Sequence, residues 1–185
     1  PGENGKLYSS GIMRSALGGT FPATPGAFQT TYGGGYDVAL LKYDSTGSQL
    51  LYASFLGGSS NETPHSMVMD SNGDLLVFGT TSSLDFPITS GVVGPSFNGG
   101  FFVFSDVIER YPNGSDMFVA RISAGGDQLK ACTYLGGSSN DGLNTWPGGP
   151  LTRNYGDEMR GDRERTRLHA RRGFAQRGGN LDLRQ

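Results

Sequence analysis

The chain has 185 residues, 35% hydrophobic and 11% aromatic, with 31 glycines and one cysteine: enough apolar mass for a core, no internal disulfide, and a glycine share well above the usual ~7% that favours short strands and tight turns over helices. The net charge of −2 combines two unlike parts, with six Lys and Arg against twelve Asp and Glu in residues 1–150 and nine against five in residues 151–185. The first part is therefore too acidic for a nucleic-acid face, and no apolar run approaches the ~18 residues of a transmembrane segment.

In chain order, residues 4–11 (NGKLYSSG) return as residues 72–79 (NGDLLVFG) at an offset of 68, and the FPATPG run at 21–26 returns as FPITSG at 86–91 at an offset of 65. The strongest echo follows. Residues 35–61 (GYDVALLKYDSTGSQLLYASFLGGSSN) align without a gap with residues 114–140, 79 positions on, and eleven of the 27 paired residues are identical. A repeat of this kind governs the architecture. Within it, residues 37–44 and 49–56 read as strands around a Ser-Thr-Gly-Ser turn, and Gly57-Gly58-Ser59-Ser60-Asn61 reads as a loop. Residues 65–70 and 74–79 are two further strands joined by Ser71-Asn72-Gly73, an Asn-Gly turn of the kind hairpins favour. The offset rises from 65 to 79 through a 14-residue insertion at 101–114, FFVFSDVIERYPNG.

Four antiparallel strands repeated in tandem, with apolar residues on both strand faces, predict blades of a β-propeller. The expected fold is all-β: an incomplete propeller of about two blades over residues 1–145, and an irregular non-repeat tail over 146–185. Since propellers close with about four to eight blades, the chain is expected to be a piece of a longer protein whose remaining blades are its natural partners. Alone, it is expected to aggregate, to fold loosely or to oligomerise.

The run D-x-x-x-x-K-x-D-x-x-G-x-x-L-x-Y-x-S-x-L-G-G, followed by D-S-N-G-D and then G-T-T-S-S-x-D-F-P-x-T, resembles the bacterial secreted β-propeller repeat known as SBBP. The resemblance is closest over residues 37–89 and is similar to forms found in large Bacteroidota surface proteins, some associated with gliding motility. It implies a secreted or outer-surface location and carries no activity with it.

Candidate sites are few. Asp70, Asn72 and Asp74 place oxygen ligands at alternate positions, as a calcium loop would, but Leu75 and Thr81 stand where an EF-hand needs glycine and glutamate; calcium is a weak candidate beside a side-chain-capped turn, and no other cofactor is indicated. His65 and His169 are the only histidines, no second ligand stands at metal-site spacing from His65, and no G-x-S-x-G nucleophile motif occurs. Asp37 and Asp116 share one repeat position, as structural caps would, and Cys132 reads as a small buried hydrophobe. No catalytic residue is assigned. Phe101, Phe102, Phe104 and Tyr111 in the insertion are candidate partner-binding anchors for a protein or glycan, against the plainer reading that they cover a blade edge. Asn61 and Asn113 head N-glycosylation tripeptides. The functional expectation is a non-enzymatic structural or interaction module. The alternative is part of a propeller hydrolase or lyase with its site at the central channel.

Residues 161–185 lose the strand pattern and are rich in arginine without lysine. They are expected to be a frame-shifted reading of the next blade, with a genuine basic tail that binds anions or nucleic acid as the rival.

Overall fold

In a computed structural model of the protein, residues 5–14, 20–104 and 110–143 are described. The expectations for the 146–185 tail, and for His169 within it, lie outside them. The described chain is all-β: β1 (Leu7–Met13), β2 (Asp37–Tyr43), β3 (Leu50–Leu56), β4 (Glu62–Met69), β5 (Leu75–Thr81), β6 (Val103–Phe104), β7 (Arg110–Tyr111), β8 (Asp116–Ile122) and β9 (Leu129–Leu135). They form a three-stranded antiparallel sheet in the order β1-β2-β3, a four-stranded antiparallel sheet in the order β4-β5-β8-β9, and a small β6-β7 hairpin inside the insertion. This is an incomplete propeller of about two blades.

The two copies of the repeated hairpin fold alike for the same reason. In β2-β3 the turn closes with the Asp44 amide donating to the Gln49 carbonyl at 3.0 Å, Gly47 takes a φ of 74°, and the Asp44 carboxylate accepts from the Ser48 and Gln49 amides. In β8-β9 the Ser123 amide donates to the Gln128 carbonyl at 2.9 Å. Gly126 takes a φ of 77°, and the Ser123 hydroxyl accepts from the Asp127 and Gln128 amides. Each turn thus has a short polar cap at its first position and a glycine where the backbone goes left-handed.

The strands occur where the sequence places them, but the blade is phased differently. Strands β3 and β4, grouped in one unit by sequence order, belong to different sheets. The reason lies in the segment before each hairpin. Residues 21–29 run along the outer edge of β3: the Thr24 amide donates to the Ala53 carbonyl at 2.9 Å, the Phe55 amide donates to the Gln29 carbonyl at 3.0 Å, and the Ala53 amide donates to the Thr24 hydroxyl at 3.1 Å. With that edge taken, the chain leaving β3 has to open a new sheet. The second copy repeats the strap: the Thr89 amide donates to the Cys132 carbonyl at 3.0 Å, and the Cys132 amide donates to the Thr89 hydroxyl at 3.0 Å. The FP-x-T run of each copy is therefore an edge cover. Its phenylalanine completes the packing, with Phe21 against Phe55 (ring centroids 4.6 Å apart) and Phe86 against Phe118 (4.5 Å).

One core joins the sheets. Val38, Leu40 and Leu56 from the first cluster with Leu75, Val77, Phe118, Ala120, Ile122, Cys132 and Tyr134 from the second. Polar ties cross the seam as well: the buried Lys42 donates to the Ala124 carbonyl at 2.5 Å, and the Phe28 amide donates to the Gly126 carbonyl at 3.0 Å. The Lys42 ammonium also lies over the Tyr8 and Tyr52 rings, at 5.3 and 5.7 Å from their centroids, and burial lowers its proton affinity.

Candidate functional site: the joint between the sheets

The residues that converge most closely are those around the repeated LGGSSN loop, where the chain passes from β3 to β4. Asp37, at the start of β2, accepts from the Gly33 amide at 2.8 Å and the Gly34 amide at 3.4 Å. Glu62, first residue of β4 and fully buried, accepts on Oε1 from the Thr81 and Ser83 hydroxyls, each at 2.6 Å, and on Oε2 from the Gly58 amide at 3.0 Å. Asp85 holds the loop from outside, accepting from the Ser59 amide at 2.8 Å and its hydroxyl at 2.9 Å, while the Ser60 amide donates to the Ser83 hydroxyl at 2.8 Å. Two backbone bonds complete the joint: the Tyr36 amide donates to the Ser60 carbonyl at 3.2 Å, and the Glu62 amide to the Tyr36 carbonyl at 2.6 Å.

The glycines follow from this crowding. A Cβ on Gly57 would stand 2.5 Å from the Asp37 carboxyl carbon and 2.7 Å from Glu62 Oε2, and one on Gly58 would stand 2.6 Å from Asp85 Oδ1 and from the Ser83 Cβ. The loop therefore threads between carboxylates contributed by both sheets. Burial pushes Glu62 up to about 7, with the Asp37 charge adding to the effect and the Ser83, Thr81 and Gly58 bonds opposing it. Burial likewise pushes Asp37 up to about 6 against the Gly33 and Gly34 amides. Asp85 moves the other way, held below its ordinary range first by the Ser59 amide. Two carboxylates with raised proton affinity and a third beside them are the groups acid–base chemistry employs, but Asp37 and Glu62 are both 0% exposed, and among the described residues their hydrogen bonds go to the Gly33, Gly34 and Gly58 amides and the Thr81 and Ser83 hydroxyls that enclose them.

The second copy rebuilds the joint with Asp116 for Asp37 and Asp141 for Glu62. Asp116 Oδ2 accepts from the Asn98 amide at 2.6 Å, Asp141 accepts from the Gly137 amide at 2.7 Å, and the Asp141 amide donates to the Ser115 carbonyl at 2.7 Å. Asp116 Oδ1 is buried without a hydrogen-bond partner among the described residues, and burial raises the Asp116 proton affinity, with Asp141 adding to it.

Elsewhere, Asp70 caps the β4–β5 turn by accepting from the Asn72 and Asp74 amides. Its second oxygen meets Arg121 at 2.6 Å, while Asp74 meets Arg121 at 2.9 Å and Lys130 at 2.8 Å. Those cations occupy the carboxylate oxygens that the calcium reading needs; Asn72 contributes its backbone, and no group of three metal-ligating side chains occurs among the described residues. The four aromatics of the insertion separate. Phe101 and Phe102 are 89% and 52% exposed, whereas Tyr111 is fully buried, its hydroxyl 2.7 Å from that of Thr63, so it fills the interior and cannot anchor a partner. Phe104 lies in β6, and its side chain is outside the described residues.

His65 Nε2 is 2.7 Å from the Thr80 hydroxyl. Cys132 is buried, and its thiol is pushed up to about 12. The amide nitrogens of both glycosylation candidates are used internally, Asn61 on the Arg110 carbonyl and Asn113 on the Ser82 carbonyl. Among the described residues, no helix is long and apolar enough to cross a membrane.

Sequence reasoning identified Asp37 and Asp116 but missed Glu62, Thr81, Ser83 and Asp85. The available signal was the acidic residue directly after each LGGSSN run, Glu62 and Asp141. No protein-family model matches the chain, and no curated protein matches it either.

Proposed function

We propose that the chain is a non-enzymatic structural and interaction module: a β-propeller segment of the SBBP kind, belonging to a secreted or cell-surface bacterial protein, that presents loops to a protein or glycan. The observation that carries this reading is the joint. Its carboxylates are spent on backbone amides of the passage between sheets, at the same positions in both copies, with hydroxyls added at the first joint, which is a scaffolding use. The loop that differs between copies, the insertion with Phe101 and Phe102 exposed, is where recognition is placed.

A glycan array probed with the chain and with a Phe101→Ser/Phe102→Ser variant tests this. Retention of the chain on a defined glycan, lost in the variant while the melting temperature holds, supports loop presentation. Release of new reducing ends from the same glycans, abolished by Asp37→Asn, would replace it with the hydrolase reading.

A further inference from the structure

Strand β1 occupies the place in its sheet that β5 occupies in the other, 68 positions on: β1 pairs with β2 as β5 pairs with β8. On its other side β5 carries β4, with Pro64 opposite Gly79 and a break in register between Pro64 and Ser66. Among the described residues, strand β1 ends its sheet with β2 as its only ladder partner, although β4 of the other sheet packs near it.

Gly79 is glycine for a local reason: a Cβ there would collide with the Thr63 carbonyl oxygen of β4 and stand 2.6 Å from the Phe118 ring. Gly11 is its counterpart. Its neighbour in place of Phe118 is Ala39, and a Cβ on Gly11 would meet nothing within 4 Å. The glycine is thus present, and among the described residues the strand that requires it is not. Side-chain exposure agrees: Leu7 and Ile12 are 42% and 41% exposed, against 2% and 0% for Leu75 and Thr80 at the matching positions. Edge protection agrees as well. Strand β4, which ends the second sheet, carries Glu62, Pro64, His65 and a bulge, whereas LYSSGIM carries no charge, no proline and no register break, so β1 has none of the features by which natural edges avoid pairing.

From this we infer that the edge of β1 that carries no strand among the described residues is a strand-acceptor site that takes an extended antiparallel segment built like β4, in the register that sets its proline opposite Gly11, the position of its Met69 opposite Leu7 and that of its Glu62 opposite Met13. The inference rests on the repeat and the glycine, not on the proposed function, and β-augmentation of this kind draws affinity from main-chain hydrogen bonds and specificity from alternate side chains.

The probe is a labelled peptide with the sequence of residues 61–70, NETPHSMVMD, titrated into the whole chain by fluorescence anisotropy, with its reversed sequence as control and Gly11→Val as the key variant. Valine fits the open space and suits a strand, so the melting temperature should match that of the unsubstituted chain. A β4-like strand would nevertheless meet the new side chain. The expected result is saturable binding of the forward peptide alone, weakened at least ~10-fold by Gly11→Val. Absence of binding, equal binding by the reversed peptide, or equal binding by Gly11→Val would each overturn the site. A dimer in sedimentation that the peptide does not dissociate would overturn the occupant, showing that a second copy takes the edge instead.

Discussion

The LGGSSN loop occurs twice with one sequence and sits in two environments. At the first joint Gly57 and Gly58 are buried, and Thr81, Ser83 and Asp85, all delivered by the end of β5 and the residues after it, close over the loop and over Glu62. At the second joint Gly136 and Gly137 are exposed, Asp141 is partly exposed where Glu62 is sealed, and Asp116 keeps an oxygen without a partner among the described residues. The difference teaches that a joint is finished by the sheet that follows it. The loop and the first aspartate make half of it, and the hydroxyls and carboxylate after the next sheet's second strand make the rest. The variants below sharpen or break that comparison.

The largest effect is expected from the core that the two sheets do not share equally. Phe118 is 1% exposed and stacks on Phe86 in the four-stranded sheet, whereas its counterpart in the three-stranded sheet is Ala39. Phe118→Ala gives the second sheet the first sheet's side chain without its surroundings and leaves a cavity. A loss of about 3–5 kcal/mol in denaturant unfolding is expected. A loss below ~1 kcal/mol would show that the sheets tolerate the same residue and that the asymmetry is superficial.

The next effect depends on pH. Glu62 has an ordinary value of 4.5 and stands at about 7 in the folded chain, so the folded state holds a proton that the unfolded chain has released. Its contribution is fully present below pH 4.5 and is lost as pH rises to about 7, amounting to roughly 3–4 kcal/mol at ~1.4 kcal/mol per pK unit. Asp37 adds a loss of the same sign between 3.8 and about 6. Stability should therefore fall as pH rises from 4.5 to 7, and Glu62→Gln should remove most of that slope. Parallel profiles for the unsubstituted chain and Glu62→Gln would show that Glu62 is not the titrating group.

Much of this was legible in the chain. The hairpins, their turns and the loop follow from alternating apolar residues and from Gly47, Gly73 and Gly126 at the turns. Sheet membership did not, because it depends on bonds such as Thr24 to Ala53 and Gln29 to Phe55, made across some thirty residues by polar groups with no periodicity. The joint was half legible: Asp37 and Asp116 share a position, but Thr81, Ser83 and Asp85 stand out only once the chain has folded back on the loop. Tyr111 shows the limit for aromatics, since nothing in FFVFSDVIERY distinguishes the ring that fills the interior from Phe101, which faces solvent.

A smaller effect separates the two joints sterically. Gly57→Ala places a methyl group between the Asp37 and Glu62 carboxyls in a buried loop and should cost about 1–3 kcal/mol. Gly136→Ala presses on Asp116 in the same way, but its loop is exposed and has room to give, so a smaller loss is expected. Equal losses, read from paired denaturant curves, would mean that the second joint is as tightly closed as the first.

The smallest effect tests the feature in which the two copies differ by chemistry and agree in geometry. Asp44 and Ser123 open equivalent turns, and each accepts two backbone amides from the turn it caps. If the requirement is for one short-range oxygen acceptor and not for charge, Asp44→Ser should leave the melting temperature unchanged, because serine supplies in the first hairpin what Ser123 supplies in the second. Ser123→Ala removes the acceptor at a buried position of the turn and should cost about 1 kcal/mol. Ser123 also donates to the Asp127 carboxylate at 2.6 Å, which is the first cause holding that group below its ordinary range, so the Asp127 titration, followed by carboxyl NMR, should move up toward the ordinary value in Ser123→Ala. A loss of stability without that shift would place the cost in the backbone caps alone, whereas a shift without a loss would leave the hydroxyl's bonds to the turn amides with no measurable role in holding the hairpin.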